Sequence, residues 1–222
     1  MAAAGVVHGD VDPQLAAELP GLAVVSLRVE GRAGRAPKPV REQLHALASR
    51  ITAAKVVESR RAGVPWTYRV LWRRLGVDPD VDRTPVEALM LDRLRDGGIS
   101  SRGVAADAAA LATLETGVPV LVLDAAAVHG RLRLRPAGRD EALAGEPARP
   151  LRPGEAVYAD STRPLARIAG QVAHDCLPGR DTTAMLVCAI AAPTVPALAL
   201  EEALVTAADA LRGDAARGSG GP

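Results

Sequence analysis

YADSTRPLARIAGQVAHDCLPGRDTTAMLVCAIAAP, residues 158–193, decides how this chain is read. A short run ends at Tyr158-Ala159-Asp160, and an apolar run, Ala184 to Ala192, closes the stretch. Between them stands a polar loop, His174-Asp175-Cys176, followed by Arg180-Asp181-Thr182-Thr183. Two segments fit for burial, flanking a cluster of titratable and hydroxyl groups, are how a pocket on a rigid scaffold looks in sequence.

Working outward, Glu155–Ala159 and Ala184–Ala192 read as strands, as do Leu132–Arg135, Val118–Leu123 and, near the start, Leu22–Val29. Glu141–Pro153 is rich in Pro, Gly and charge and reads as an exposed connection. Gly31–Pro39, with two prolines and three basic residues, reads as a loop. Leu44, Leu47, Ile51, Ala54 and Val57 recur at helical spacing and predict one helix over Val40–Glu58. A second spans Trp66–Leu75. A third opens with Thr84 as cap and Pro85 in its first turn, and ends at Gly97-Gly98. Gly103–Thr116 and Thr194–Leu211 complete the helices. Helices dominate the first half and strands the second, so the class is α+β, with a mixed sheet in the C-terminal half packed by helices. Residues 1–20 read as loosely ordered, 21–212 as one domain (21–64 its N-terminal strand and helix) and 213–222 as a disordered tail.

With 222 residues and 48% hydrophobic content, one sizeable core can form, yet aromatics are 2% and Phe is absent, so Ala, Val and Leu must fill it. The net charge of +1 makes no global case for nucleic-acid binding, although local Arg clusters can. Cys176 and Cys188 are too few and wrongly spaced for a zinc site. No basic leader with a long apolar run opens the chain and no stretch approaches a membrane span, so it reads as soluble and cytoplasmic.

Several blocks follow one another in a recognisable order: WTYRVLWRRLGVDP (66–79), RTPVEALMLDRL (83–94), ADAAALATLETGVPVLVLDA (106–125), GRLRLRPAG (130–138) and the 155–192 region. The set resembles the B3/B4 domain of the phenylalanyl-tRNA synthetase β subunit, and more closely the free-standing proteins consisting of that domain alone. The resemblance implies a pocket between sheet and loops, no metal and no organic cofactor. It also implies hydrolysis of mischarged aminoacyl-tRNA in trans, with the acceptor end of the tRNA as partner. There are departures. The family carries an Asn three residues after the Asp matching Asp107, where this chain has Ala110; it carries a Ser two residues before Glu87, where Pro85 stands; and its Glu-His pair is replaced by His174 and Asp175.

Hydrolysis of an activated ester needs held water, donors for the oxyanion and a pocket for the side chain. His174 is the candidate for orienting water or accepting its proton, although a lone loop His is more often a surface or structural residue. Asp175 suits the substrate's α-amino group, or a solvated turn. Thr182, with Asp181 and Thr183 beside it, offers groups for water and ester, or a strand-start cap. Asp107, Thr113 and Glu115 share the helix before Gly117 and are candidate pocket residues. Arg131, Arg133 and Arg135 alternate with leucines and present one face; the resemblance singles out Arg135 for tRNA phosphates. Arg69 and Arg73, at i and i+4 near Trp66, Tyr68 and Trp72, suit a terminal base, or the helix simply packs on the core. Arg83 and Glu87 at the same spacing read as a salt bridge, and Cys176 as filler. Three functions remain open: a metal-independent deacylase, a non-catalytic module for tRNA ends or amino acids, and an accessory synthetase subunit. All require the 171–183 turn and the 107–115 helix to meet around one hollow.

Overall fold

In the computed structural model, which describes residues 5–145 and 150–213, order begins almost at once. Strands β1 (Val6–His8) and β2 (Asp10–Val11) precede a short helix, α1 (Pro13–Glu18). The expectation of a loose start over residues 1–20 is therefore corrected for residues 5–20. The local cause is Asp12, whose carboxylate accepts from Gln14 N at 2.9 Å and Leu15 N at 3.4 Å, with Pro13 opening the helix. Residues 1–4, 146–149 and 214–222, including nearly all of the expected disordered tail, lie outside the described residues.

After β3 (Ala23–Glu30), the single helix expected over Val40–Glu58 divides into α2 (Lys38–Ser49) and α3 (Ala53–Ser59). Thr52 stands at the break, its Oγ1 accepting from Lys55 N at 3.3 Å and so capping a new start that continuous apolar spacing conceals. Helices α4 (Gly63–Arg74), α5 (Pro85–Asp96) and α6 (Val104–Thr116) follow. Thr84 caps α5, its Oγ1 accepting from Glu87 N at 3.4 Å. Gly117 ends α6 at φ 77°, where a side chain would also press on Pro65.

The remaining elements are β4 (Val120–Asp124), β5 (Arg133–Pro136), β6 (Ala156–Ala159), β7 (Pro164–Arg167), β8 (Ala184–Ala191) and α7 (Ala197–Arg212). β7 falls between Asp160 and the His174 loop, where the sequence reading named no element. Its proline takes the first position of an edge strand, where the missing N–H costs no ladder bond. The expected exposed connection over 141–153 buries Leu143 and Leu151.

Two four-stranded sheets form, rather than one sheet in the C-terminal half. The first is ordered β1-β3-β8-β4 and is antiparallel throughout; the second is β2-β5-β6-β7, parallel only between β2 and β5. β8 pairs along its whole length with β3, from Ala184 opposite Glu30 to Ala191 opposite Ala23, and on its other side with β4. A strand paired on both edges and covered on both faces is apolar throughout instead of alternating, as AMLVCAIA is. α6 and α7 pack together over this sheet, and α2 packs on α6.

The class is α+β. Tyr68, Trp72 and Tyr158 are fully buried, and Tyr68 meets Trp72 edge-on with ring centres 5.8 Å apart. The Tyr68 hydroxyl donates to Ile190 O at 2.7 Å, anchoring α4 to β8. No helix of the described residues is long and apolar enough to cross a membrane.

Candidate functional site

A hollow of about 750 Å³ opens between α6, the first turns of α5, strand β4 and two loop segments, 169–172 and 177–180. Its largest wall is α6. Ala105, Ala106, Ala109, Ala110 and Thr113 recur at helical spacing on the side that faces it, and their small side chains leave the volume empty. The other faces of α6 are buried, through Ala108, Leu111 and Ala112 among others. Thr113 Oγ1 accepts from Val120 N at 3.0 Å, so the end of α6 and the start of β4 form one rigid corner.

Two buried polar side chains hold the mouth from behind. Asp107 accepts from Ser101 Oγ at 2.5 Å and from Arg102 N at 2.9 Å, which fixes the approach to α6. Gly103 then turns the chain at φ 107°; a Cβ there would sit 3.0 Å from Gly34 O, the carbonyl that accepts from Val104 N at 2.8 Å. Across the hollow, Thr182 Oγ1 donates to Asp124 Oδ2 at 2.6 Å and accepts from Gly179 N at 2.9 Å. Asp107 and Thr182 thus support the walls and are not part of the lining.

Of the other residues singled out from sequence, Thr113 lies in the wall, and Asp181 and Thr183 are exposed beside Thr182. His174 and Asp175 are outside the lining. They sit in a 3-10 turn, His174–Cys176, whose His174 N donates to Ala144 O at 2.8 Å. Arg163 pairs with Asp175 at 2.7 Å and holds its carboxyl below the usual range. Cys176 is buried, and burial pushes its thiol up to about 11. Glu115 lies outside the lining on the side of α6 toward α7, its carboxyl raised by partial burial and then by the charge of Glu202.

The arginines read as tRNA ligands have carboxylate partners. Arg69, 4% exposed, donates to Glu87 at 2.6 Å and Asp80 at 2.5 Å; Arg73 pairs with Asp80 at 3.1 Å. Glu87 also accepts from Arg60 at 3.0 Å, so the pair expected between Arg83 and Glu87 is replaced by a buried network. Arg135 grips Glu141 with both ends of its fork, at 2.8 and 2.7 Å. Arg131 and Arg133 approach Asp10 at 3.5 Å. Trp72 packs in the core and is not a stacking platform.

Sequence reasoning gave no place in the hollow to the lining from α5 (Pro85, Ala88, Leu89, Asp92) or to two arginines at the mouth, Arg102 and Arg180. Arg102-Gly103 directly before a helix was the available signal. Ala110, one of the departures from the family pattern, is a lining residue.

A two-sheet α+β domain with a hollow beside its central helix is the class these features define. The family profile of the B3/4 domain matches residues 68–197, more than half of the chain, and the chain belongs to that family. The match runs from α4 through β8 and includes every lining residue except Ala33 and Gly34. Comparison with curated proteins finds no match.

Proposed function

We propose that this chain hydrolyses the ester of mischarged aminoacyl-tRNA in trans, with the aminoacyl group seated in the hollow. The observation that carries the reading is the hollow itself, about 750 Å³ inside the matched B3/4 span, a size typical of small-molecule sites. Its wall includes Ala105 and Ala106 in the first turn of α6. Amides of a first turn have no intrahelical acceptor, and Gly103 brings no side chain to cap them. They are the candidate donors for the oxyanion of the tetrahedral intermediate. Thr113, whose oxygen is already bonded to Val120 N, keeps a hydroxyl proton to orient water or ester. No step uses a metal.

One observation favours a second reading, a module that holds an aminoacyl end or an amino acid without cleaving it, alone or beside a synthetase. No His, Cys or Glu occurs among the described lining residues, and His174 and Asp175 stand outside them. The test is a panel of mischarged aminoacyl-tRNAs incubated with the protein, with ester loss followed against a no-protein control. Hydrolysis of at least one, unchanged by EDTA and within twofold in His174→Ala and Asp175→Ala, is the expected result. Release from none, together with measurable binding of the same RNAs, establishes the module instead.

A further inference from the structure

Arg102 and Arg180 line the hollow from two different walls, one just before α6 and the other in the turn that leads to β8. Both side chains are exposed, and neither guanidinium has a hydrogen-bond or ion-pair partner among the described residues. Arg69, Arg73 and Arg135, by contrast, hold carboxylates.

We propose that Arg102 and Arg180 bind the phosphate of the nucleotide that carries the aminoacyl group, seating an RNA 3′ end at the mouth of the hollow. This rests on the reading of the hollow as an aminoacyl site. An unengaged guanidinium fork presents paired donors that match phosphate oxygens. The backbones beneath both forks are fixed, through Arg102 N to Asp107 on one side and Gly179 N to Thr182 on the other, so on binding the ordering cost falls on the side chains alone.

The charge around the mouth points the same way. Asp92 is the carboxylate among the described lining residues, and it pairs with Arg95 at 3.0 Å. Arg32 and Arg35 are exposed on either side of the lining residues Ala33 and Gly34. Leu177, 50% exposed beside Arg180, adds an apolar shelf at the lip. A free amino acid has no part that reaches such a shelf; the sugar and base of a terminal nucleotide do.

The probe is an RNA minihelix whose 3′ end carries an amino acid through an amide, which the protein cannot cleave as an ester. Its binding is measured by fluorescence anisotropy over a salt series for three proteins: the unaltered chain, the double variant Arg102→Gln/Arg180→Gln, and a charge-matched control, Arg50→Gln/Arg61→Gln, at exposed positions away from the hollow. The mouth variant is expected to bind at least tenfold more weakly, with the log–log salt slope smaller by about 0.7, the value for one single-strand phosphate contact. The control binds as the unaltered chain does, and a phosphate-free amino-acid amide binds all three equally. Unchanged affinity and slope in the mouth variant overturn the proposal, as does absence of minihelix binding by the unaltered chain. An equal loss for the phosphate-free amide also overturns it, because the arginines then serve the amino acid itself. Deacylation is followed in parallel: arginine-dependent binding without hydrolysis removes the hydrolase reading and leaves the phosphate contacts standing.

Discussion

Thr182 and Asp124 share a hydrogen bond of 2.6 Å, and the same threonine oxygen takes the amide proton of Gly179. One buried hydroxyl therefore couples the turn that carries Arg180 to the end of β4, and both flank the hollow. The residue looked like a candidate for chemistry in sequence; its place in the structure is that of a brace.

Thr182→Val removes both bonds while keeping the shape. Losing two part-buried bonds costs about 0.5–1.5 kcal/mol each, read as a lower urea midpoint. Thr182→Ser keeps the oxygen and recovers most of the loss. A Val variant as stable as its parent would contradict the brace.

Ala110 tests the hollow as a side-chain pocket. Ala110→Leu places three more carbons on a wall of the hollow, at a position that is 5% exposed. Folding is expected to survive, while kcat/KM for esters of the largest amino acids falls at least tenfold, about 1.4 kcal/mol of barrier. Esters of the smallest amino acids lose less. Uniform loss across the panel would place the substrate elsewhere.

Glu87, 1% exposed, holds the guanidinium of Arg69 inside the α4–α5 junction. Breaking a buried pair from one side is costly, so Glu87→Gln is expected to destabilise by about 3–5 kcal/mol. Arg83→Ala, at the position where sequence spacing puts the partner, stays within about 0.5 kcal/mol. Equal effects in calorimetry would restore the local pair.

Glu115 gives a pH signature. Burial, and then the nearby charge of Glu202, raise its carboxyl above the unfolded value. Between the unfolded and folded pKa the native state binds the extra proton, so stability falls as pH rises through that window and is fully present below it. Glu115→Gln removes this penalty. The variant melts above its parent at pH 7, and the gap closes as pH drops below about 4.3, the usual glutamate value. Deacylation is unaffected, because the side chain lies toward α7.

The parts of the fold legible in sequence were those written in local chemistry. Thr84-Pro85 opens α5, and Gly97 and Gly117 close α5 and α6, because caps depend on a few adjacent residues. β1 was illegible for the opposite reason: three residues carry no periodic signal, and order comes from pairing with β3. The candidate site divides in the same way. Helix 107–115 and turn 171–183 do border one hollow, through Ala109, Ala110, Thr113 and Gln171, Pro178, Gly179 among others. Which side chains turn inward was not legible, since His174 is displaced by how its 3-10 turn docks on Ala144. Nor were the partners of the arginines: Asp80 and Glu141 reach Arg69 and Arg135 across loops whose path no spacing rule describes.

The long pairing of β3 with β8 has a practical corollary. A fragment cut to residues 68–197, the span the family profile recognises, keeps β8 but discards β3 and nearly all of α7. Eight uncharged residues would then offer a bare backbone edge to any passing chain, the standard recipe for intermolecular stacking. Such a fragment should come out of expression hosts as inclusion bodies, and β3 acts as the built-in safeguard against that fate.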